Sequence, residues 1–322
     1  MKKTPTLGIN LQLPNAGGGW ENAGRLSTAA NGGLIRTGAL FWEAFWGGPQ
    51  VRPDLGYIVR QVEVAKGAGA GLLVLLQPTP HPESKWGSAD WWNPRPELWP
   101  DIVRCNNMII AAYDAECTRQ GIPRPYYQLL NEMTGNKPGG SGTPGLWTDD
   151  AHEFIFALCR GIPPSVRGRL IAPAISDLGE PSECREWRTC QPRPRSNWTA
   201  SATRSIHVRV NGHVGISPTD WAEKAVAEIN AAVDAVRELS SERGKNRPVD
   251  VTEFYCTPGG VGHPESTEEA IGEYRVQLLM RLDRLKCRFF IPYGADSSVI
   301  EGESPYAKYG GWANSIWSFR SR

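Results

Sequence analysis

PYYQLLNEMTG, residues 125–135, runs from apolar and aromatic residues into an Asn-Glu pair and then into small, polar residues. Tyr126 to Leu130 are the residue types that a buried strand favours. Asn131 and Glu132 then lie where this strand leaves the core, ahead of a glycine-rich loop at 137–145. A carboxylate at the end of a buried strand is held by a rigid element and still reaches a cleft. Both conditions are required for general acid catalysis.

A second segment of the same kind lies far downstream. PVDVTEFYCTPGG, residues 248–260, carries Glu253 at the end of a short β-branched run. Two glutamates at the ends of different strands are the groups needed to cleave a glycosidic bond. If the carboxyl groups lie about 5–5.5 Å apart, one attacks the anomeric carbon while the other protonates the leaving oxygen, and the configuration is retained.

The rest of the chain alternates strand-like and helix-like segments about eight times. The strand-like segments are 6–13, 33–41, 72–77, 126–130, 170–175, 205–210, 249–254 and 288–293. Helical patterns cover 54–66, 97–120, 148–159, 220–241, 267–285 and 312–319. This order predicts an α/β fold, a (β/α)8 TIM barrel that forms a single catalytic domain over residues 1–322. The competing fold is an open, doubly wound sheet. It favours a glycine-rich phosphate turn after the first strand, but residues 16–19 lack the required spacing and a helix directly behind them.

Composition excludes several classes of protein. The chain has 322 residues and a formal charge of +1, so we expect no nucleic acid or membrane partner. No stretch approaches 18 apolar residues, and the N-terminus MKKTPTLGIN has no apolar run of signal-peptide length. We expect a monomer that is cytoplasmic or is released without a signal peptide. The seven cysteines form no metal-binding pattern, so we expect no metal and no cofactor, although Cys184 and Cys190 are close enough to bridge a loop.

In a barrel, the active-site groups lie at the carboxyl ends of several strands. Five candidates fall at or near predicted strand ends: Arg36, Asn131, Glu132, His207 and Glu253. The alternatives are that Arg36 pairs with a surface carboxylate such as Glu43 and that His207 is a satisfied core histidine.

LLNE (129–132) and VTEF (251–254) resemble the strand-four and strand-seven motifs of the large retaining glycoside hydrolase clan GH-A, with its cellulase-, mannanase- and xylosidase-like barrels. The resemblance implies that Glu132 is the acid/base and Glu253 the nucleophile. It further implies that Asn131 binds the sugar 2-hydroxyl, that Arg36 supports the nucleophile, and that His207, in SIHV, lines the cleft.

The sequence also departs from the pattern of the clan. Strand six of the clan usually has a tyrosine two residues after the histidine, where this chain has Arg209. Strand eight often ends in a tryptophan, but Tyr293 stands here, so Tyr293 or a loop tryptophan would have to form the sugar platform. Met133 follows the Asn-Glu pair instead of the proline common in cellulase-like members.

Five tryptophans fall in loops predicted on the catalytic face: Trp42, Trp46, Trp86, Trp91 and Trp92. Indole rings stack on the apolar faces of pyranoses, although loop tryptophans also pack loops on a barrel. Trp91 and Trp92 cannot face the same way in an extended segment, so at most one of the two stacks on sugar. The long aromatic loops predict an open cleft for an oligo- or polysaccharide.

Two other functions fit parts of the sequence. The loop 256–262 follows strand seven, a common place for phosphate sites in barrels, which suggests an enzyme for a phosphorylated small molecule. This loop has no basic residue. A non-catalytic carbohydrate-binding barrel would keep the aromatic cleft, but the intact glutamate pair argues against it.

Overall fold

Parallel pairing joins each strand to the next, and the last strand pairs with the first, so that the sheet closes into a barrel. The computed structural model describes residues 4–11, 13–14, 19–77, 85–86, 94–129, 149–175, 203–212, 215–241, 248–257, 268–294 and 311–322. The strands are β1 Thr6–Asn10, β2 Leu34–Leu40, β3 Gly71–Gln77, β4 Tyr126–Leu129, β5 Leu170–Ile175, β6 Thr203–Asn211, β7 Val249–Thr257 and β8 Phe289–Pro292. The structure confirms the predicted (β/α)8 barrel.

Helices surround the strands. Within the described residues they are α1 Trp20–Ser27, α2 Phe41–Ala44, α3 Gly56–Gly67, α4 Trp99–Gln120, α5 Asp149–Gly161, α6 Pro218–Ser241, α7 Glu268–Leu279 and α8 Trp312–Arg320. None of them is both long and apolar enough to cross a membrane. Four cysteines are buried as free thiols: Cys105, Cys117, Cys159 and Cys287. Cys184 and Cys190 lie outside the described residues.

Helix α1 contradicts one sequence prediction, because it follows the glycine run directly. Gly19 precedes α1 with a φ of 87°, a left-handed conformation that glycine adopts easily. The buried side chains of Ala23 and Leu26 then hold the helix on the core. The absence of a helix was therefore a wrong argument against an open sheet, and closure of the barrel decides between the two folds.

Other differences concern the ends of elements. Strands β6 and β7 each span nine residues, longer than predicted, so His207 and Glu253 lie within strands rather than at their ends. The helix predicted over 267–285 ends at Leu279, and a short 3-10 turn, Leu282–Arg284, follows it.

Two hydrophobic layers lie on the two faces of the strands. The larger one packs the outer faces of the strands against the helices. The smaller one fills the barrel interior and is formed by Leu34, Leu73, Ile171, Phe289 and Ile291. Strict alternation assigns each strand residue to one of these faces.

Strand β7 breaks this alternation. Val251 pairs with Ile206 and Glu253 pairs with His207, so Thr252 is an extra residue, a β-bulge, with no partner on β6. Val251 and Phe254 both belong to the outer hydrophobic layer although they are three residues apart. The bulge therefore reverses the alternation and turns Glu253 toward the interior of the barrel.

A charged pair lies near the amino end of β7. Arg288 donates to both carboxylate oxygens of Asp250, at 3.0 and 2.6 Å. Asp250 is fully buried, whereas the Arg288 side chain is 29% exposed. Burial raises the pKa of Asp250 to about 6, although the bonds and charge of Arg288 oppose this effect.

Candidate active site

Glu253 forms a buried ion pair with Arg36 across the barrel interior. Nη1 of Arg36, on β2, lies 2.6 Å from Oε1 of Glu253, on β7, and each side chain is 3% exposed. Arg36 shares the inner face of β2 with Leu34, two residues earlier. A charge this deeply buried is tolerated only when it is paired and hydrogen-bonded, so the ion pair determines where this carboxylate sits.

Gln128 extends the pair to a third strand. Nε of Arg36 donates to Oε1 of Gln128, on β4, at 3.1 Å, and Gln128 is fully buried. This contact, made by a different nitrogen from the one that faces Glu253, helps to fix the plane of the guanidinium. Gln128 was not among the residues singled out from the sequence. The available signal was a lone amide within the apolar run YYQLL.

His207 faces the second carboxylate oxygen. Its Nδ1 lies 3.6 Å from Oε2 of Glu253, and the two residues are Cα partners in the β6–β7 ladder. The distance is longer than a normal hydrogen bond. His207 is 2% exposed and thus lines the interior beside the carboxylate.

Tyr255 also contacts Glu253, and sequence reasoning missed it. Its hydroxyl donates to Oε2 of Glu253, two residues earlier on the same strand. The ring of Tyr255 lies 4.7 Å from the ring of Tyr293, which follows β8. Tyr293 was expected as a sugar platform, and the structure places it, half-buried, against Tyr255.

Asn10, at the end of β1, is a further buried polar residue that sequence reasoning did not find. It is the Cα partner of Arg36 and is 6% exposed. Its Nδ2 has no hydrogen-bond partner within the described part of the chain. A polar atom in this position is available to a ligand in the interior.

The remaining predicted residues divide into two groups. Asn131, Glu132, Trp91 and Trp92 lie outside the described residues, as does the loop 258–262, and so does the side chain of Trp42. Trp46 follows α2 and is 42% exposed, as a platform for a ligand would be. Trp86 is 4% exposed, and its indole nitrogen donates to the carbonyl oxygen of Phe45, so it packs the loop and not a cleft.

Within the described ranges, no three His, Cys, Asp or Glu side chains form a group that could hold a metal ion. The described groups instead converge on one carboxylate. A cation and a neutral hydroxyl contact its two oxygens separately. This arrangement holds the carboxylate in one orientation, as a nucleophile requires.

No protein-family model and no curated protein matches the chain. Solved structures do match it, among them a thermostable mutant of a xylanase, Xyn10A, from Cellvibrio japonicus. The match has a TM-score of 0.61 and 11% identity and covers 99% of this chain and 98% of the xylanase chain. A fungal β-1,4-galactanase matches with a TM-score of 0.58 and 11% identity, over 99% of this chain and all of the other.

A third match is a family 5 glycoside hydrolase from Prevotella bryantii, solved in complex with a xyloglucan tetradecasaccharide. The TM-score is 0.54 at 11% identity, with 100% of this chain and 99% of the other covered. At such identities the likeness is one of fold. The chain thus has the barrel fold that these glycoside hydrolases share.

Proposed function

We propose that this chain is a retaining glycoside hydrolase that cleaves O-glycosidic bonds in an oligo- or polysaccharide. The observation that carries the proposal is the buried Arg36–Glu253 pair, 2.6 Å apart, on the strands where the sequence motifs expect the nucleophile and its arginine. The shared fold of solved xylanase and galactanase structures supports it.

In the first step, a carboxylate oxygen of Glu253 attacks the anomeric carbon. The bond from that carbon to the glycosidic oxygen breaks, and the leaving oxygen takes a proton from the carboxyl group of Glu132. In the second step, the Glu132 carboxylate takes a proton from water while the water oxygen attacks the anomeric carbon. The ester bond then breaks, and the Glu253 carboxylate is restored.

The described residues have separate parts in this reaction. Arg36 fixes the orientation of the Glu253 carboxylate, while Gln128 fixes the guanidinium of Arg36. His207 lines the wall of the subsite beside the carboxylate. In this proposal Asn131 binds the 2-hydroxyl of the sugar, as the LLNE motif suggests.

Aromatic residues provide the substrate platforms. Trp46, exposed after α2, is the best-supported candidate, and Trp42, Trp92 and Tyr293 complete the proposed set. Flat rings at the rim of a barrel stack on successive pyranoses, which favours a polymer over a monosaccharide.

The proposal is tested with Glu253→Gln and Glu132→Gln on aryl β-glycosides, with the exposed Glu21→Gln on α1 as control. Glu253→Gln should reduce turnover to background. Glu132→Gln should lose more rate with poor leaving groups than with good ones, because only poor leaving groups need the proton. A 2-fluoro glycoside should label Glu253, which mass spectrometry of the labelled peptide detects. Full activity in either variant, or a label elsewhere, would overturn the assignment.

The same experiment separates the non-catalytic alternative. A binding barrel would retain oligosaccharides in affinity electrophoresis, show no turnover, and take up no 2-fluoro label. No described contact favours the phosphorylated-substrate alternative.

A further inference from the structure

The carboxylate of Glu253 has a different partner on each oxygen. Oε1 faces the cation of Arg36, whereas Oε2 accepts from the neutral hydroxyl of Tyr255. We propose that Tyr255 is a positioning residue for the nucleophile, and that β7 itself thereby supplies the hydroxyl that the clan resemblance expects from strand six. This inference rests on the proposed function, since it concerns how Glu253 is held for attack.

The β-bulge explains how β7 can supply both groups. Thr252 reverses the alternation of the strand, so that Glu253 and Tyr255 share the inner face while Phe254, between them, packs in the outer layer. Residues two apart on one face of a strand are close enough for long side chains to meet. If Thr252 were instead paired within a regular strand, both would face the helices.

The strand register explains why the hydroxyl can come from β7. Arg209 is the residue at which the clan pattern has a tyrosine, and its Cα partner across the β6–β7 ladder is Tyr255. Compared with the clan pattern, the hydroxyl therefore comes from the adjacent strand, β7, at the same level of the barrel. In this proposal, Tyr255 on β7 compensates for Arg209, which stands where the clan pattern has a tyrosine on strand six.

Tyr255 is itself held in place. Its ring lies 4.7 Å from that of Tyr293 with an interplanar angle of 36°. The backbone N–H of Tyr293 donates to the carbonyl oxygen of Phe254 at 3.0 Å, which ties the two segments together. The ring pair limits the rotation of Tyr255, so its hydroxyl keeps facing Oε2.

A neutral donor suits this position chemically. When Glu253 forms the glycosyl ester, the carboxylate loses its negative charge, and a bond from a hydroxyl weakens less than an ion pair does. The hydroxyl can therefore hold the carboxyl group in the same orientation before and after attack, with no net transfer of its proton.

The test compares Tyr255→Phe with Tyr126→Phe. The first keeps the ring against Tyr293 and removes only the hydroxyl, while the second removes a hydroxyl from the far end of the barrel interior. We expect kcat/KM on an aryl glycoside to fall about ten- to a hundredfold in Tyr255→Phe, since a small misplacement of a reacting group costs up to that much. The loss should fall on kcat rather than KM. Wild-type kcat in Tyr255→Phe would overturn the proposal.

A double variant, Arg209→Tyr with Tyr255→Phe, returns the hydroxyl to the neighbouring strand. It should recover part of the lost kcat, and a rate no higher than that of Tyr255→Phe would contradict the equivalence of the two positions.

A measurement that needs no turnover separates this inference from the proposed function. A hydroxyl proton held on a carboxylate gives a downfield proton NMR signal that exchanges slowly with water. The signal should be present in the wild type, absent in Tyr255→Phe, and shifted in Glu253→Gln. If the wild type hydrolyses no glycoside but shows this signal, the proposed function fails and the contact stands. An active wild type without the signal would overturn the role of Tyr255.

Discussion

Arg36 and Glu253 are 217 residues apart in the chain, yet their side chains meet at 2.6 Å inside the barrel. Each side chain is 3% exposed, so both charged groups are shielded from bulk water. The pair joins β2 to β7 across the interior, so the same contact links two strands of the barrel and positions the carboxylate. Its two members should therefore be coupled in both stability and activity.

Removal of one member of this pair should lower the free energy of unfolding more than removal of both. Arg36→Met leaves a buried carboxylate without its cation and should lower the free energy of unfolding by about 3–5 kcal/mol. The double variant Arg36→Met/Glu253→Gln should recover most of that loss. Urea denaturation at neutral pH measures both, with the exposed Arg167→Met as control. Additive losses in the double variant would show that the pair is not coupled.

Gln128 should affect both stability and activity through its hydrogen bond with Arg36. Gln128→Leu leaves Nε of Arg36 without this acceptor, and the free energy of unfolding should fall by about 1–3 kcal/mol. Because the guanidinium can then rotate, kcat/KM should fall about tenfold while KM changes little. Steady-state kinetics and urea denaturation test both effects, with the exposed Gln50→Leu as control. Unchanged kinetics would mean that Glu253 alone orients Arg36.

Asp250 should make stability fall as pH rises from about 4 to about 6. Its pKa is raised from the ordinary value of 3.8 to about 6, so the folded chain binds a proton that the unfolded chain has released in this range. The contribution is complete below pH 4 and lost above pH 6, and two pKa units correspond to about 3 kcal/mol.

Asp250→Asn isolates this effect, because the other acids are common to both proteins. Relative to the variant, the wild type should lose unfolding free energy between pH 4 and pH 6 in urea titrations at each pH. Arg288 lines an open cavity of about 500 Å³, so its guanidinium keeps contact with water in the variant. A constant difference across this range would contradict the raised pKa.

Thr252 carries a buried hydroxyl whose oxygen has no hydrogen-bond partner among the described residues. Thr252→Val keeps the shape and the bulge and removes the unpaired group, so the free energy of unfolding should rise by about 1 kcal/mol. Deletion of Thr252 removes the bulge, leaves Val251 facing outward and Glu253 facing inward opposite His207, and should therefore preserve activity. Thermal unfolding and activity assays on the two variants distinguish the roles of the hydroxyl and of the extra residue. An inactive deletion variant would show that the bulge itself, and not only the inward face of Glu253, positions the carboxylate.

The barrel could be predicted from the sequence because each strand and helix has its own local sequence signal. The apolar run at 72–77 and the alanine-rich helix near 220–241 mark their elements without knowledge of neighbours. Arg36 and Glu253, singled out from short motifs, lie on the second and seventh strands, as those motifs predict. Tyr255 and Gln128 were missed because their importance depends on which face each strand turns inward.

For β7, the face that turns toward the barrel interior could not be predicted from the sequence. Simple alternation from the apolar Val251 places Glu253 outward, and only the register with Ile206 and His207 reveals the extra residue. For a similar reason, the sequence left open whether Trp86 stacks on a ligand or packs a loop. A loop tryptophan has the same local sequence signal whether it binds a ligand or packs beneath the loop, and only the bond to Phe45 decides.

The reversal at Thr252 has a consequence for protein engineering. The segment Val249–Thr257 should be transplanted as a whole, because the inward and outward alternation of its side chains changes at Thr252. A designer who threads this sequence onto a regular strand, with Val251 facing outward, would obtain a Glu253 carboxylate buried among helices. Transfer of all nine residues would carry the change of phase, the acid and its hydroxyl together.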